Sequence, residues 1–249
     1  MKLAMKSEAW LGCAGHNLNL VLSHSLREQH VDEADLQDEE QNFMRDVMQL
    51  IAVCKKTVAN ARSCIQAKLQ TSLKQAVVTR WNSMLTMLQS VLCNADGLKK
   101  LADEFADKTL QRLLLDINTD LLKQVINVLE PFDVATRMLS TDRAPSLHLV
   151  YPTKVQLTNK LQPESGDGTV ILQLKSLLLS KLGTLYHVKP LHCLATMLDP
   201  RLKSGILSAK EKLEATAALR ELTSQVPVTT DDTEAANTEP SAKRRKLAV

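Results

Sequence analysis

The chain has 249 residues, 44% hydrophobic and 24% charged, enough for one large domain or two small ones with a substantial core. Its 7 Gly, 8 Pro and 3% aromatic residues are too few for the turn-rich, aromatic-rich pattern of a sandwich or barrel, so the composition is that of a mainly α protein. A net charge of +3, from 31 Lys and Arg against 28 Asp and Glu, excludes a chain that is basic throughout; any surface for a polyanion has to be local.

From Leu18 to Leu26 the pattern Leu18, Val21, Leu22, Ser25, Leu26 has helical spacing and follows a Gly-Cys-Ala-Gly turn, which predicts a first helix from about His16. An acidic patch at 32–40 leads into Phe43, Val47, Ile51, Cys54, Val58, Ala61 and Ile65, a second and long amphipathic helix. Val77-Val78-Thr79-Arg80 breaks the period. A third helix is predicted from about Trp81 through Leu92, with Asn82 or Ser83 available for capping. Residues 108–141 carry the strongest apolar stripe, from Leu110 to Leu139, within which Pro131 is expected to bend the helix or divide it. A further periodic segment runs from Leu147 to Leu161, and after a Pro-Glu-Ser-Gly-Asp-Gly break another helix carries Ile171, Leu174, Leu178, Leu182 and Leu185. Beyond about Ser224 the Thr, Asp, Glu, Ala and Pro composition predicts disorder.

The five cysteines, at 13, 54, 64, 93 and 193, are odd in number and contain no CxxC, so free thiols in a reducing compartment are expected. The longest run without a formal charge, Ala9 to Leu26, holds Gly12, Gly15, His16, Asn17, Asn19, Ser23 and His24, and so makes neither a bilayer span nor a signal-peptide core. The chain is expected to be soluble and intracellular, with no membrane partner.

Three short motifs bear on chemistry. Cys13 and His16 form a CxxH unit whose thiolate and imidazole can reach one zinc ion, but structural zinc needs four ligands and no second pair follows, so packing for Cys13 and a hydrogen bond for His16 are the favoured use. Thr79-Arg80-Trp81-Asn82-Ser83 joins a guanidinium, a large π-surface and small hydrogen-bonding groups at a helix start. These groups hold a phosphate and stack a displaced base; the alternative is that Trp81 fills the core and Arg80 pairs with a carboxylate. Lys243-Arg244-Arg245-Lys246 is a compact basic cluster suited to an importin groove or a phosphate backbone, or is a solvated charge run. No Gly-rich phosphate loop, HExxH or GxSxG occurs, which removes the commonest NTPase, metalloprotease and esterase signals.

Read in order, four segments resemble the RNase H-like region of hAT-superfamily transposases and of the BED zinc-finger proteins domesticated from them. Cys-Ala-Gly-His-Asn-Leu-Asn-Leu (13–20) is similar to the family's CxxHxLNL element, and Val78-Thr79-Arg80-Trp81-Asn82-Ser83 to its TRWNS element. Leu129-Glu130-Pro131-Phe132 with Ala135-Thr136 resembles LEPFxxAT and is followed by Pro145-Ser146-Leu147; residues 194–203 resemble LATFLDPRFK.

The resemblance implies a mainly α chain: the helical insertion domain of a hAT transposase plus part of its RNase H-like core. On that reading residues 1–30 are a remnant of the core with the CxxH element, 31–189 the helical insertion, 190–224 a return segment toward the core and 225–249 a disordered tail. It gives Arg80 and Trp81 a place beside nucleic acid, with Trp81 near a flipped base and Asn82 in support. Family transposases hold two divalent metals with an Asp-Asp-Glu triad, and both Asp residues precede the CxxH element. The only acid before Cys13 is Glu8, and no BED finger is present, so no catalytic residue, metal site or cofactor is expected. The implied function is that of a catalytically inactive, transposase-derived nuclear protein binding DNA, hairpin or single-stranded, or protein, in a transcription or chromatin setting, with importin reading residues 243–246. The alternatives are a helical scaffold pairing with an intact hAT or BED relative, and a protein-modifying role of the SUMO ligase type attributed within the group.

Overall fold

The computed structural model describes residues 11–26, 38–77, 81–140, 145–202 and 205–224, and among them the chain is helical with no strand. The helices are α1 (Ala14–Leu26), α2 (Asp38–Asn60), α3 (Ser63–Gln66), α4 (Trp81–Cys93), α5 (Ala95–Glu104), α6 (Lys108–Leu115), α7 (Thr119–Leu139), α8 (Val150–Lys160), α9 (Thr169–Leu185), α10 (Pro190–Leu198) and α11 (Ala209–Ser224), with a 3-10 turn at Leu147–Leu149 leading into α8. None is long and apolar enough to cross a membrane, among the described residues. All five cysteines are free.

The apolar stripes read from the sequence meet in one large core. Leu18, Val21 and Leu22 of α1, Val47, Ile51 and Cys54 of α2, Leu85 and Leu88 of α4, Leu129 and Phe132 of α7, and Ile171, Leu174 and Leu178 of α9 are all buried in it. α9 lies against α1 and α2, and α7 against α1 and α4, while α2 also touches α4 and α6. Burying each such side chain contributes about 1.5–3 kcal/mol, so the core is held chiefly by removal of apolar surface from water.

Two boundaries differ from the sequence expectation. Pro131 does not divide the 108–141 stripe: α7 runs through it as one helix. The missing N–H leaves the Asn127 carbonyl without its helical donor, but Asn127 is exposed, so water can serve that oxygen, while Val128, Leu129 and Phe132 are buried and hold both halves. The stripe breaks instead at Asn118, whose side-chain oxygen accepts from the Asp120 and Leu121 amides at 3.1 and 3.0 Å and starts α7 as an N-cap. The second helix ends at Asn60 rather than continuing to Ile65. Arg62 is extended, and its Nε donates to Asp107 at 2.9 Å, which ties the end of α2 to the start of α6. Asp107 in turn caps α6 through the Leu110 amide, with Ala106 beside it in the left-handed region at φ 48°.

A second, smaller cluster consists of Tyr151, Cys193, Leu194, Leu207 and Ala215, where α10 packs on α11 and on the 3-10 turn. The two clusters meet along α8, where Val150 belongs to the large core and Tyr151 to the small cluster. Tyr186, buried in the large core, donates to the Val150 carbonyl at 3.1 Å, and Tyr151 beside it donates to Glu211 of α11 at 2.5 Å. Glu211 also accepts the Ser208 amide at 3.0 Å, so one carboxylate both caps α11 and anchors it to α8.

Candidate nucleic-acid interface

The segment before α4 is laid along that helix by two serines. The Lys74 amide donates to the Ser90 hydroxyl at 3.0 Å, and the Ser83 hydroxyl accepts from the Val77 amide at 2.8 Å and donates to the Val77 carbonyl at 3.0 Å. Val77 is thereby held against the first turn of α4, which opens at Trp81. Arg80 itself lies outside the described residues, as do Lys243, Arg244, Arg245 and Lys246.

Trp81 opens α4 and is only 8% exposed, within the large core. Its Nε1–H has no hydrogen-bond partner there, which for a buried donor costs roughly 1–3 kcal/mol. Neither Asn82 nor Ser83 stands at the cap position. The Asn82 amide donates from Nδ2 to Asp133 Oδ1 at 2.5 Å, and Asp133 Oδ2 pairs with Arg137 Nη2, also at 2.5 Å. Asp133 is buried and Arg137 lies one turn further along α7 with its side chain 76% exposed.

The CxxH element reaches the C-terminal end of α7. Gly15 is buried against the last turn of α7, and a Cβ there would stand 2.9 Å from the Ser140 hydroxyl. Cys13 and His16 are both exposed. No group of three His, Cys, Asp or Glu side chains near enough to hold a metal ion occurs among the described residues.

A second polar cluster joins the 3-10 turn to the end of α10. Asp199 accepts from the Arg201 amide at 2.9 Å and from its Nε at 3.1 Å through one oxygen, and from Nη2 at 2.8 Å through the other. These bonds hold the Asp199 carboxyl down to about 2. His148 Nε2 lies 3.1 Å from Arg201 Nη2 and 3.3 Å from Asp199 Oδ2, and the His148 carbonyl accepts from Thr196 at 2.9 Å. On the first turn of α10, burial keeps the His192 imidazole below its ordinary range, with Lys189 adding to the effect, and its Nδ1 accepts the Lys189 amide at 2.9 Å.

No protein-family model matches the chain. It is 28% identical to the hobo transposable-element transposase of Drosophila melanogaster over 75% of its own length and 26% of that protein. It is 25% identical to human zinc finger protein 618, over 83% of this chain and 21% of the relative, and 23% identical to human zinc finger BED domain-containing protein 4, over 80% and 17%. The chain is related to hAT transposases and BED-type zinc-finger proteins. It spans about a quarter or less of the length of these relatives.

In this transposase-derived chain the motif segments meet in two pairs. TRWNS meets LEPFDVAT through Asn82 and Asp133, and the 3-10 turn after Pro145-Ser146 meets the LDPR segment through His148, Asp199 and Arg201. Sequence reasoning did not single out Asp133, Arg137, His148 or Glu211, and it placed Tyr151 only in an apolar stripe. For Asp133 and Arg137 a signal existed, an acid and a base at i and i+4 on one helix; for Tyr151 and Glu211, 60 residues apart, none did.

Proposed function

We propose that this chain is a catalytically inactive, transposase-derived nuclear protein whose TRWNS element, through Arg80, Trp81 and Asn82, contacts nucleic acid, hairpin or single-stranded DNA, in a transcription or chromatin setting. The observation that carries the reading is that the residues on either side of positions 78–80 are held in place: Val77 by the Ser83 hydroxyl, Trp81 by burial in the core and Asn82 by Asp133. Arg80 stands between these held residues in the sequence, and a guanidinium is the side chain best fitted to a phosphate. In this reading Arg80 makes the contact, Trp81 stacks on a base only by leaving the core, and Asn82 fixes the start of α4.

The proposal of inactivity draws support from what the buried acids do. Asp107, Asp133 and Asp199 each pair with an arginine, and Asp107 and Asp199 also accept backbone amides. Two-metal phosphoryl chemistry needs carboxylates free to face the ions. Residues 31–189 then serve as the helical insertion, 1–30 and 190–224 as flanking parts of an RNase H-like core, and Lys243 to Lys246 as the importin address. A second reading, a scaffold that pairs with a hAT or BED relative, is favoured by the exposed Leu198, Leu213 and Leu222 on α10 and α11.

The test is binding of the full chain to a fluorescent DNA hairpin with a single-stranded flank. Arg80→Ala is expected to weaken binding about tenfold, or about 1.4 kcal/mol, with the thermal midpoint unchanged. Affinity equal to that of the unaltered chain removes Arg80 from the interface. Strand cleavage dependent on Mg²⁺ or Mn²⁺ overturns the inactive assignment, and capture of a protein partner in nuclease-treated extract without DNA affinity favours the scaffold.

A further inference from the structure

Helix α10 is tied at its first turn by a side chain that serves only without a proton. The helix opens at Pro190, which has no N–H to give, and the Lys189 amide just before it donates to His192 Nδ1 at 2.9 Å. A ring nitrogen accepts a hydrogen bond through its lone pair, and in the imidazolium both nitrogens carry a proton, so neither accepts. The acceptor at this turn exists only while His192 is neutral. His192 is 4% exposed, and the next two residues, Cys193 and Leu194, form part of the small cluster. Val188, one residue before Lys189, packs against both clusters, so the turn stands at the joint between the large core and the α10–α11 unit.

The charged groups on the surrounding elements do not favour the cation. On α11, Glu211 accepts from Tyr151 of α8 and from the Ser208 amide, and Glu214 pairs with Lys210. In the 3-10 turn His148 lies against Asp199 and Arg201, and on α8 Lys154 donates to the Tyr186 carbonyl at 3.3 Å. Lys212, Arg220 and Glu221, the other charges of α11, form no ion pair among the described residues. None of these carboxylates pairs with His192, and the charge that acts on the ring, that of Lys189, is of like sign. Burial first and Lys189 second hold the imidazole below its ordinary 6.5.

We propose that His192 is a pH-sensitive latch at the joint between the two clusters: neutral, it caps α10, and protonated, it opens the first turn of α10 and uncovers Cys193 and Leu194. The unfolded segment takes up its proton at the ordinary value and the folded one below it. The stability that the cap contributes is therefore complete above about pH 6.5 and is lost as the pH falls below it toward the folded value. That window lies above the one in which Asp199 responds, because Arg201 keeps that carboxyl at about 2. The bond from Thr196 to the His148 carbonyl involves no titrating group and is retained, so the change is confined to the N-terminal turn of α10.

The experiment follows amide exchange of the full chain between about pH 7.5 and 5.5, corrected for the intrinsic pH dependence of exchange. The amides of Lys189 and of residues 191–194 are expected to lose protection as the pH falls, with α1 and α9 unchanged over the same interval. His192→Gln places a neutral acceptor at the same position, and is expected to keep the protection at pH 7.5 and to lose its dependence on pH. His148→Gln is expected to retain that dependence. In the unaltered chain the His192 ring protons, followed by NMR, are expected to titrate below 6.5 in step with the exchange. Constant protection of this turn over the interval overturns the inference, as does an equal response in α1 and α9. So does a response that survives in His192→Gln or disappears in His148→Gln. Should His192→Gln be poorly folded at both pH values, the ring titration decides, and a midpoint at or above 6.5 overturns the inference.

Discussion

The large core and the α10–α11 cluster are built from the same kinds of helix, yet they are held by different forces. The first joins the apolar faces of α1, α2, α4, α7 and α9 over a continuous interior in which Leu18, Leu88, Leu129 and Phe132 are wholly buried. The second buries only Tyr151, Cys193, Leu194, Leu207 and Ala215, while Leu198, Leu213 and Leu222 remain exposed. What the small cluster lacks in apolar burial it gains from directed contacts: Tyr151 to Glu211, Thr196 to the His148 carbonyl, and the set formed by His148, Asp199 and Arg201. Hydrophobic burial is indifferent to protonation, whereas every one of these latter contacts but the threonine's depends on a titratable group. The two regions should therefore fail under different conditions.

The largest effect is expected from a cavity in the first region. Phe132 is fully buried on α7, one position after the proline, and Phe132→Ala should cost about 3–5 kcal/mol in urea unfolding. Because Phe132 flanks Asp133, the same variant should also loosen the Asn82 contact and weaken DNA binding. A loss below about 1 kcal/mol would mean that α7 is not the centre of the interior.

Acid should separate the two regions in the opposite order. The Asp199 carboxyl, ordinarily near 3.8, is held at about 2 by Arg201, first through the side-chain hydrogen bonds and then through the amide. A folded-state value below the unfolded one means that its contribution is complete above about pH 4 and is lost as the pH falls to about 2. Amide exchange of α10 and α11 is expected to speed up across that window before exchange in α1 and α9 does. Asp107 and Asp167 are also lowered, the first chiefly by the Leu110 amide and the second by Lys175 against the opposing effect of burial, so the large region follows rather than resists indefinitely. Simultaneous loss of protection throughout would show that the two regions unfold as one unit.

How much of this could be read beforehand follows the same division. The interior was legible because burial leaves a period: Val47, Ile51, Cys54 and Val58, or Ile171, Leu174, Leu178 and Leu182, recur at helical spacing and all are buried. α5 escaped because its buried set is only Leu98, Leu101 and Ala102, preceded by Gly97 and interrupted by two lysines. The 108–141 stripe breaks at Asn118, which caps two amides, whereas Pro131, expected to bend or divide it, lies inside α7. At the interface the sequence marked Trp81 and Asn82 but left open whether the indole faces the core or a base; burial depends on what α7 brings across from 51 residues away, as the bond from Asn82 to Asp133 does. Polar contacts between distant segments carry no periodicity, so Tyr151 with Glu211 and His148 with Asp199 became visible only in three dimensions.

The smallest and most specific change concerns the tether of α11. Tyr151→Phe removes one hydroxyl that donates to Glu211 and leaves the ring in place. Glu211 retains the Ser208 amide, so its charge is still partly met and the loss should be about 1 kcal/mol rather than that of an orphaned carboxylate. The hydroxyl is pushed up to about 12 from an ordinary 10, first by burial and then by the carboxylate it bonds. Its unfolded counterpart ionises first, so its contribution is complete below about pH 10 and disappears as the pH rises to about 12. The comparison to make is therefore the alkaline arm of stability for the two proteins. The unaltered chain should lose stability of α11 through that interval, and the phenylalanine variant, already weaker at neutral pH, should show a flatter arm when amide exchange on α11 is followed. Equal arms would mean that α11 is held by Ala215 and Leu219 packing alone, and the small cluster would then be a weaker version of the large core instead of a different kind of joint.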